Sequence, residues 1–381
     1  MRQGNNFVKH RSNQSCEWGK LKPFSNASFC DIRSHYRGCF ACCCVLPVSG
    51  IKATSNNYTR SRSIRPKVAT REFLGEGNLP DVNLAGGLHN FLSDLHAQHG
   101  PIASYWHGTQ LVASVASPEG LSEQTHIFDR PEGRARRKLY DSAFSYDACE
   151  AVYSPLMQLL SRQAGPVPEE NDPREKRFQD SLKLLRDTVR CALDDDKSVL
   201  TWAFYYLSLY PETQEKLFEE LKYVLGEEAF QPHHMKSLKY MRQVLDETMR
   251  CGVVAPYAAR VQIDSEYTLC GHTVPRGTPA IQALGVIFQR EDIWPNPDRF
   301  DPERFIEAEN AQRHPMAFQP FGFAGRRKCP GYRLAYLEAT LVVAEVIRRF
   351  KINLVEGQEV TPSFGFVARP EEEIWITLNP R

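Results

Sequence analysis

The chain has 381 residues, 42% hydrophobic and 24% charged, enough for one large domain or two ordinary ones around a sizeable core. A net charge of +1 argues against nucleic acid as a partner for the whole molecule. The eleven cysteines are too irregularly spaced along so long a chain for a disulfide scaffold, and the scattered Cys149, Cys191, Cys251, Cys270 and Cys329 suit reduced thiols of an intracellular protein.

Residues 1–74 differ in kind from the rest. They are rich in Ser, Asn and Arg, and carry thirteen Lys and Arg against Glu17, Asp31 and Glu72. No helical or alternating period persists, which predicts a basic, disordered extension ahead of a folded domain over 75–381. Its most apolar run, Cys39 to Val48, falls far short of the ~20 residues that span a bilayer, and begins too late for a signal peptide. The composition is similar to that of a mitochondrial transit peptide; the plainer alternative is an extension with no targeting role. Cys39 and Cys42 to Cys44 offer sulfur for zinc or palmitate, but no second CxxC or His set completes a zinc site.

The spacing of Leu88, Phe91, Leu92 and Leu95 predicts a short amphipathic helix that stops at Gly100-Pro101. Ile102 to Trp106 and Leu111 to Val115 then read as a hairpin, and Ser117-Pro118-Glu119 as a helix start. A basic cluster, Arg134, Arg136, Arg137 and Lys138, reads by itself as a solvated helix face. Residues 166–173 form a loop, and helical spacing resumes with Phe178, Leu182, Leu185 and Val189. Asp194, Asp195 and Asp196 follow, before the apolar run Val199 to Tyr210. Three adjacent Asp either cap a buried helix starting near Lys197 or sit inside a long bent helix facing a polar site; propensity favours the cap.

Pro211-Glu212 opens the next helix, with Leu217, Phe218, Leu221, Val224 and Leu225 inward and Gly226 as its stop. Another helix carries Leu238, Met241, Val244, Leu245 and Thr248, with Glu247 and Arg250 three apart on one face. Taken alone, such a pair is a weak surface bridge. Strands are expected over Ala258 to Ile263, Tyr267 to Cys270 and Pro279 to Leu284, then a Pro-rich meander from Trp294 to Phe305. Lys351 to Val355 and Ile374 to Leu378 read as closing strands.

One stretch, Pro320 to Ala339, organises the rest. Arg326, Arg327 and Lys328 run into Cys329, and Leu334, Leu337, Leu341 and Val342 then begin a helix. A thiol at a helix N-terminus beside three cations favours the thiolate, the form that binds metal or attacks. A buried structural thiol and a catalytic nucleophile are the other readings, and no cysteine-protease signature surrounds Cys329.

Gly325, Arg327, Cys329 and Gly331 spell G-x-R-x-C-x-G, which resembles the haem-binding loop of the cytochrome P-450 monooxygenases. Glu247 to Arg250 is similar to that family's E-x-x-R and Pro302 to Phe305 to its P-E-R-F, all in the family's order. The resemblance runs from about Glu76 to Arg381, and GNLPD from Gly77, GGLHNFLSDLH from Gly86 and ALGVIFQ from Ala283 look like the animal branch numbered family twenty. It implies a mainly α (α+β) fold with a helical haem-binding core and small β-sheets. It also implies haem b on Cys329, flanked by Phe321, Gly325 and Gly331, with Arg137, Arg260 and Arg327 as cations for its carboxylates. Glu247, Arg250 and Arg304 would form a buried triad that locks the cysteine loop, in place of the surface bridge.

The implied reaction is oxygen insertion into an apolar substrate, with dioxygen as co-substrate and electrons from an NADPH-dependent reductase or a ferredoxin, since no G-x-G-x-x-G is present. The family also implies association with the endoplasmic reticulum membrane, the mitochondrion being the alternative, although no anchor is visible in this sequence. Some positions depart from the pattern. Gly322 stands where the family usually has Phe, and Gly133 where it has Trp. Asp194 takes the acid position of the I-helix motif, and Asp195 replaces its alcohol as proton donor. Between Phe144 and Phe178 only about thirty residues replace the helices that roof the substrate pocket between the C and I helices. A truncated product keeping the haem half without that roof, a non-catalytic relic, is the second expectation.

Overall fold

The structure is a computed structural model that describes residues 75–127, 137–138, 145, 147, 198–322 and 328–381, all within the unit Asn57–Arg381. The basic extension, the loop and helix expected over 166–189 and the three Asp lie outside the described residues.

The expected first helix spans Leu88–His99 (α2), with Phe91, Leu92 and Leu95 buried and Gly100 at its end at φ +88°. A short helix that sequence spacing did not reveal, Leu79–Leu84 (α1), precedes it. Gly77, ahead of α1, is required by close approach. At φ +56°, a Cβ there would lie 2.5 Å from the carbonyl oxygens of Gly108 and Trp106. The hairpin forms from Ile102–His107 (β1) and Gln110–Val115 (β2), and Pro118–Ile127 (α3) follows.

His96 of α2 is buried, its Nδ1–H donating to the Gly100 carbonyl at 2.7 Å and its Nε2 accepting from the Ser114 hydroxyl at 2.8 Å. Burial above all lowers its pKa to about 4. A depressed histidine pKa contributes stability that is present above 6.5 and is lost as pH falls toward 4. Unfolding midpoints in urea should therefore fall steeply across that window. His96→Gln should flatten the fall; an unchanged pH profile in that variant would remove His96 as its source.

The larger core is helical. Ser198–Leu209 (α4), Pro211–Leu225 (α5) and Lys239–Cys251 (α6) pack Leu200, Ala203, Leu207, Leu217, Leu221, Val244 and Leu245 into one cluster. Buried Gln214 of α5 ties the layers together, donating to the carbonyls of Leu207 and Ile352 and accepting the Ile352 N–H, each at 2.9 Å. The N-terminus of α6 has no cap of its own, and Glu220 of α5 accepts its first N–H groups, from Tyr240 at 2.6 Å and Met241 at 2.8 Å.

Ala258–Val261 (β3), Tyr267–Leu269 (β4), His272–Val274 (β5) and Pro279–Gln282 (β6) come next. The four-stranded sheet runs β1-β2-β6-β3, with β2 and β6 parallel and the other pairs antiparallel. Two expectations change here. His272–Val274, too short to show a period, pairs with β4. The third strand ends at Gln282, because Leu284–Phe288 is a helical turn (α7) whose Leu284, Ile287 and Phe288 bury against α2. After the meander come Glu307–Gln312 (α8) and the long Tyr332–Arg349 (α9). Phe350–Leu354 (β7) pairs antiparallel with Ile376–Pro380 (β10), as expected for the closing strands, and Pro362–Phe364 (β8) pairs with Ala368–Pro370 (β9). Among the described residues no helix is long and apolar enough to cross a membrane.

Candidate functional site

Cys329 lies three residues before α9, half-buried, as a thiol and not a disulfide. Its N–H donates to the Phe321 carbonyl at 2.9 Å, which closes the loop between them, and its carbonyl accepts the Tyr332 N–H at 3.4 Å. Gly322 makes the turn at φ +79°, in the left-handed region that favours glycine, with no atom within 4 Å of an added Cβ. The Phe321 ring packs on Tyr336 at 5.2 Å and Tyr332 at 6.2 Å. Lys328 reaches over Tyr332, its Nζ 4.1 Å from the ring centroid, while its carbonyl accepts a hydrogen bond from Arg137. The basic cluster that read as a solvated face thus sends one arginine, 191 positions away in sequence, to the residue before the cysteine.

On α6, Glu247 and Arg250 are fully buried, both side chains 0% exposed. Arg250 Nε donates to Glu247 Oε2 at 2.7 Å and Nη2 to Oε1 at 2.9 Å, a bidentate pair. Arg304 Nε stands 3.3 Å from Oε1, and the Asp301 N–H donates to the same oxygen at 2.9 Å. Arg250 also donates to the carbonyls of Phe288 at 2.9 Å and Pro297 at 2.7 Å. The triad therefore assembles, and the bonds it makes beyond itself fasten the meander to α6. Cys251 adds a thiol 3.5 Å from Glu247 Oε1; burial, then the Glu247 charge, push it well above the ordinary thiol range, so it stays protonated and donates.

A second buried carboxylate connects α6 to the cysteine helix. Asp246 accepts from the Tyr336 hydroxyl of α9 and from Arg242 Nε at 2.9 Å, and the Arg242 guanidinium lies 3.6 Å above the Tyr336 ring. Burial raises the Asp246 pKa against the pull of Arg242. Sequence reasoning missed this group. Arg242 and Asp246 are i,i+4 on a helix, the signature of a solvent pair, and Tyr336 lies 90 positions further on.

Arg137, Lys328, Phe321 and Cys329 thus meet at the head of α9, whose N-cap is Gly331. Arg260 sits half-buried on β3, opposite Ala280 in the sheet. Gly325, Arg327, Asp194 and Asp195 lie outside the described residues. The residues present fit a haem. The soft sulfur and the neighbouring cations complement the iron and the anionic edge of such a group.

Residues 193–378 match the family described as Cytochrome P450. The chain is 26% identical to bovine "Cytochrome P450 20A1" over 427 positions, covering 80% of this chain and 91% of the relative, and 25% identical to the human protein of that name. It is 31% identical to "Cytochrome P450 4c3" of Drosophila melanogaster over 192 residues, 49% of this chain and 36% of that one. In the bovine comparison 80% of 381 residues is about 305, so roughly 120 of the 427 aligned positions face a gap in this chain.

Proposed function

We propose, from the premise that this chain is a cytochrome P-450-type oxidoreductase, that it is a haem-thiolate monooxygenase acting on an apolar organic substrate. The observation that carries this reading is the setting of Cys329, its backbone held by Phe321 at the head of a helix that Asp246 ties to the buried Glu247 cluster. Haem b, when bound, supplies dioxygen activation at a thiolate-ligated iron. The chain's residues supply the rest. Cys329 Sγ is the protein's ligand, and Phe321, Gly325 and Gly331 shape the loop around it. Arg137, Arg260 and Arg327 balance the group's two carboxylates. Asp195, with Asp194 next to it in sequence, would relay protons through water, at the position where the family resemblance puts an alcohol. Electrons come from a separate NADPH-dependent reductase or ferredoxin, and the protein works at the endoplasmic reticulum membrane.

The short span between Phe144 and Phe178 supports a second reading, a haem-binding relic without its substrate roof. An open distal side holds no apolar substrate and does not keep water from reactive species. Product formed per electron consumed separates the two readings, with a supplied reductase and a panel of lipophilic compounds. The enzyme reading expects coupled turnover in the wild type and a tenfold or greater loss of coupling in Asp195→Asn, within the roughly 10²–10⁴-fold that a positioned proton-transfer group contributes to rate. Electrons lost to peroxide in both proteins, whatever the compound, would establish the relic.

A further inference from the structure

Beside the meander lies a cleft of about 300 Å³ with no part in the chemistry above. Trp294, Asn310, Arg313 and His314 contribute its polar groups, and Ala311, Pro315, Ala317 and Phe318 its apolar wall. All four side chains carry N–H donors, Asn310 an acceptor oxygen as well. Trp294 is 0% exposed, yet its Nε1–H has no hydrogen-bond partner among the described residues. Such an orphaned buried donor is uncommon and costly. The Arg313 guanidinium stacks 4.4 Å from the Trp294 ring centroid and donates to the Arg304 carbonyl, which leaves its other N–H groups available. His314 accepts the Met316 N–H on Nδ1 at 3.1 Å, so its proton sits on Nε2.

Charge points the same way. Arg304 and Arg313 lie close together, and burial followed by the Arg304 charge lowers the Arg313 pKa against the pull of Glu309 and Glu247. A cleft that sets the Arg313 guanidinium, the unpartnered Trp294 N–H and the His314 imidazole beside an apolar wall complements a ligand that only accepts hydrogen bonds and carries a short hydrocarbon tail.

We propose that this cleft binds a small aliphatic monocarboxylate, its carboxylate held by Arg313, Trp294 and His314 and its tail on Pro315 and Phe318. Its lining includes none of the residues assigned to the haem, and its occupancy does not depend on the monooxygenase reading.

The test is thermal unfolding of the purified full-length chain at constant ionic strength, titrated with sodium butyrate, butyramide, sodium chloride or sodium phosphate. A ligand that binds only the folded state raises Tm saturably. Butyrate should do so, while the neutral amide, chloride and phosphate should not. Arg313→Gln should raise the half-saturating butyrate concentration about tenfold, the loss of one charge-assisted bond, and His314→Ala about threefold. His314 is exposed, so its variant decides the matter if Arg313→Gln fails to fold. Equal responses to butyrate and butyramide, a stronger response to phosphate, or unchanged titrations in the folded variants would overturn the proposal.

Discussion

Cys329→Ala is expected to abolish the thiolate-type Soret band of the reduced, carbon monoxide-bound protein. The sulfur stands where Phe321 and the head of α9 fix the backbone on both sides, so a replacement side chain has the same position and no donor. Cys251 and Cys270 are the controls. Cys251 is engaged with Glu247 and Arg250, and Cys270 sits in the turn between β4 and β5 at φ +47°, its N–H donating to Glu123 at 2.6 Å. Alanine at either should leave the band in place. The comparison is a difference spectrum of the three variants at equal haem loading. Survival of the band in Cys329→Ala would remove that sulfur from the site, and with it the proposed reaction.

Glu247→Ala should yield little folded protein. The carboxylate is fully buried and serves both Arg250 and Arg304, the latter 9% exposed. Its removal leaves two guanidiniums in the interior without a counter-charge, which costs on the order of 3–5 kcal/mol. That is a large share of a domain stability of ~5–15 kcal/mol. The Asp301 N–H would lose its acceptor as well, and the meander its fastening to α6. Glu247→Gln keeps the shape and one acceptor oxygen but not the charge, and should fall between wild type and alanine. Urea midpoints for the three proteins test the ordering. A Glu247→Ala protein with the wild-type midpoint would mean the cluster contributes nothing to stability, despite its burial.

What could be read from the sequence is what depends on neighbours along the chain. The period of Leu88, Phe91, Leu92 and Leu95 specified α2, and Pro211 and Gly226 marked the ends of α5 because a ring at the first turn and a left-handed residue after the last are local requirements. The order of Glu247, Arg250, Arg304 and Cys329 was legible as a motif, and with it the likeness to the family that residues 193–378 match. What tertiary structure alone decided is how much a charge is worth. Glu247 and Arg250 at i,i+3 and Arg242 and Asp246 at i,i+4 look alike in sequence. The first pair became a buried anchor because Pro297, Arg299 and Asp301 close over it, and the second a bridge to α9 because Tyr336 reaches it from 90 positions away. Arg137 meeting Lys328, and Leu284 leaving its strand to bury against α2, are settled the same way. Burial is set by which distant segments pack together, and the strength of an ion pair follows burial, so neither is written in local spacing.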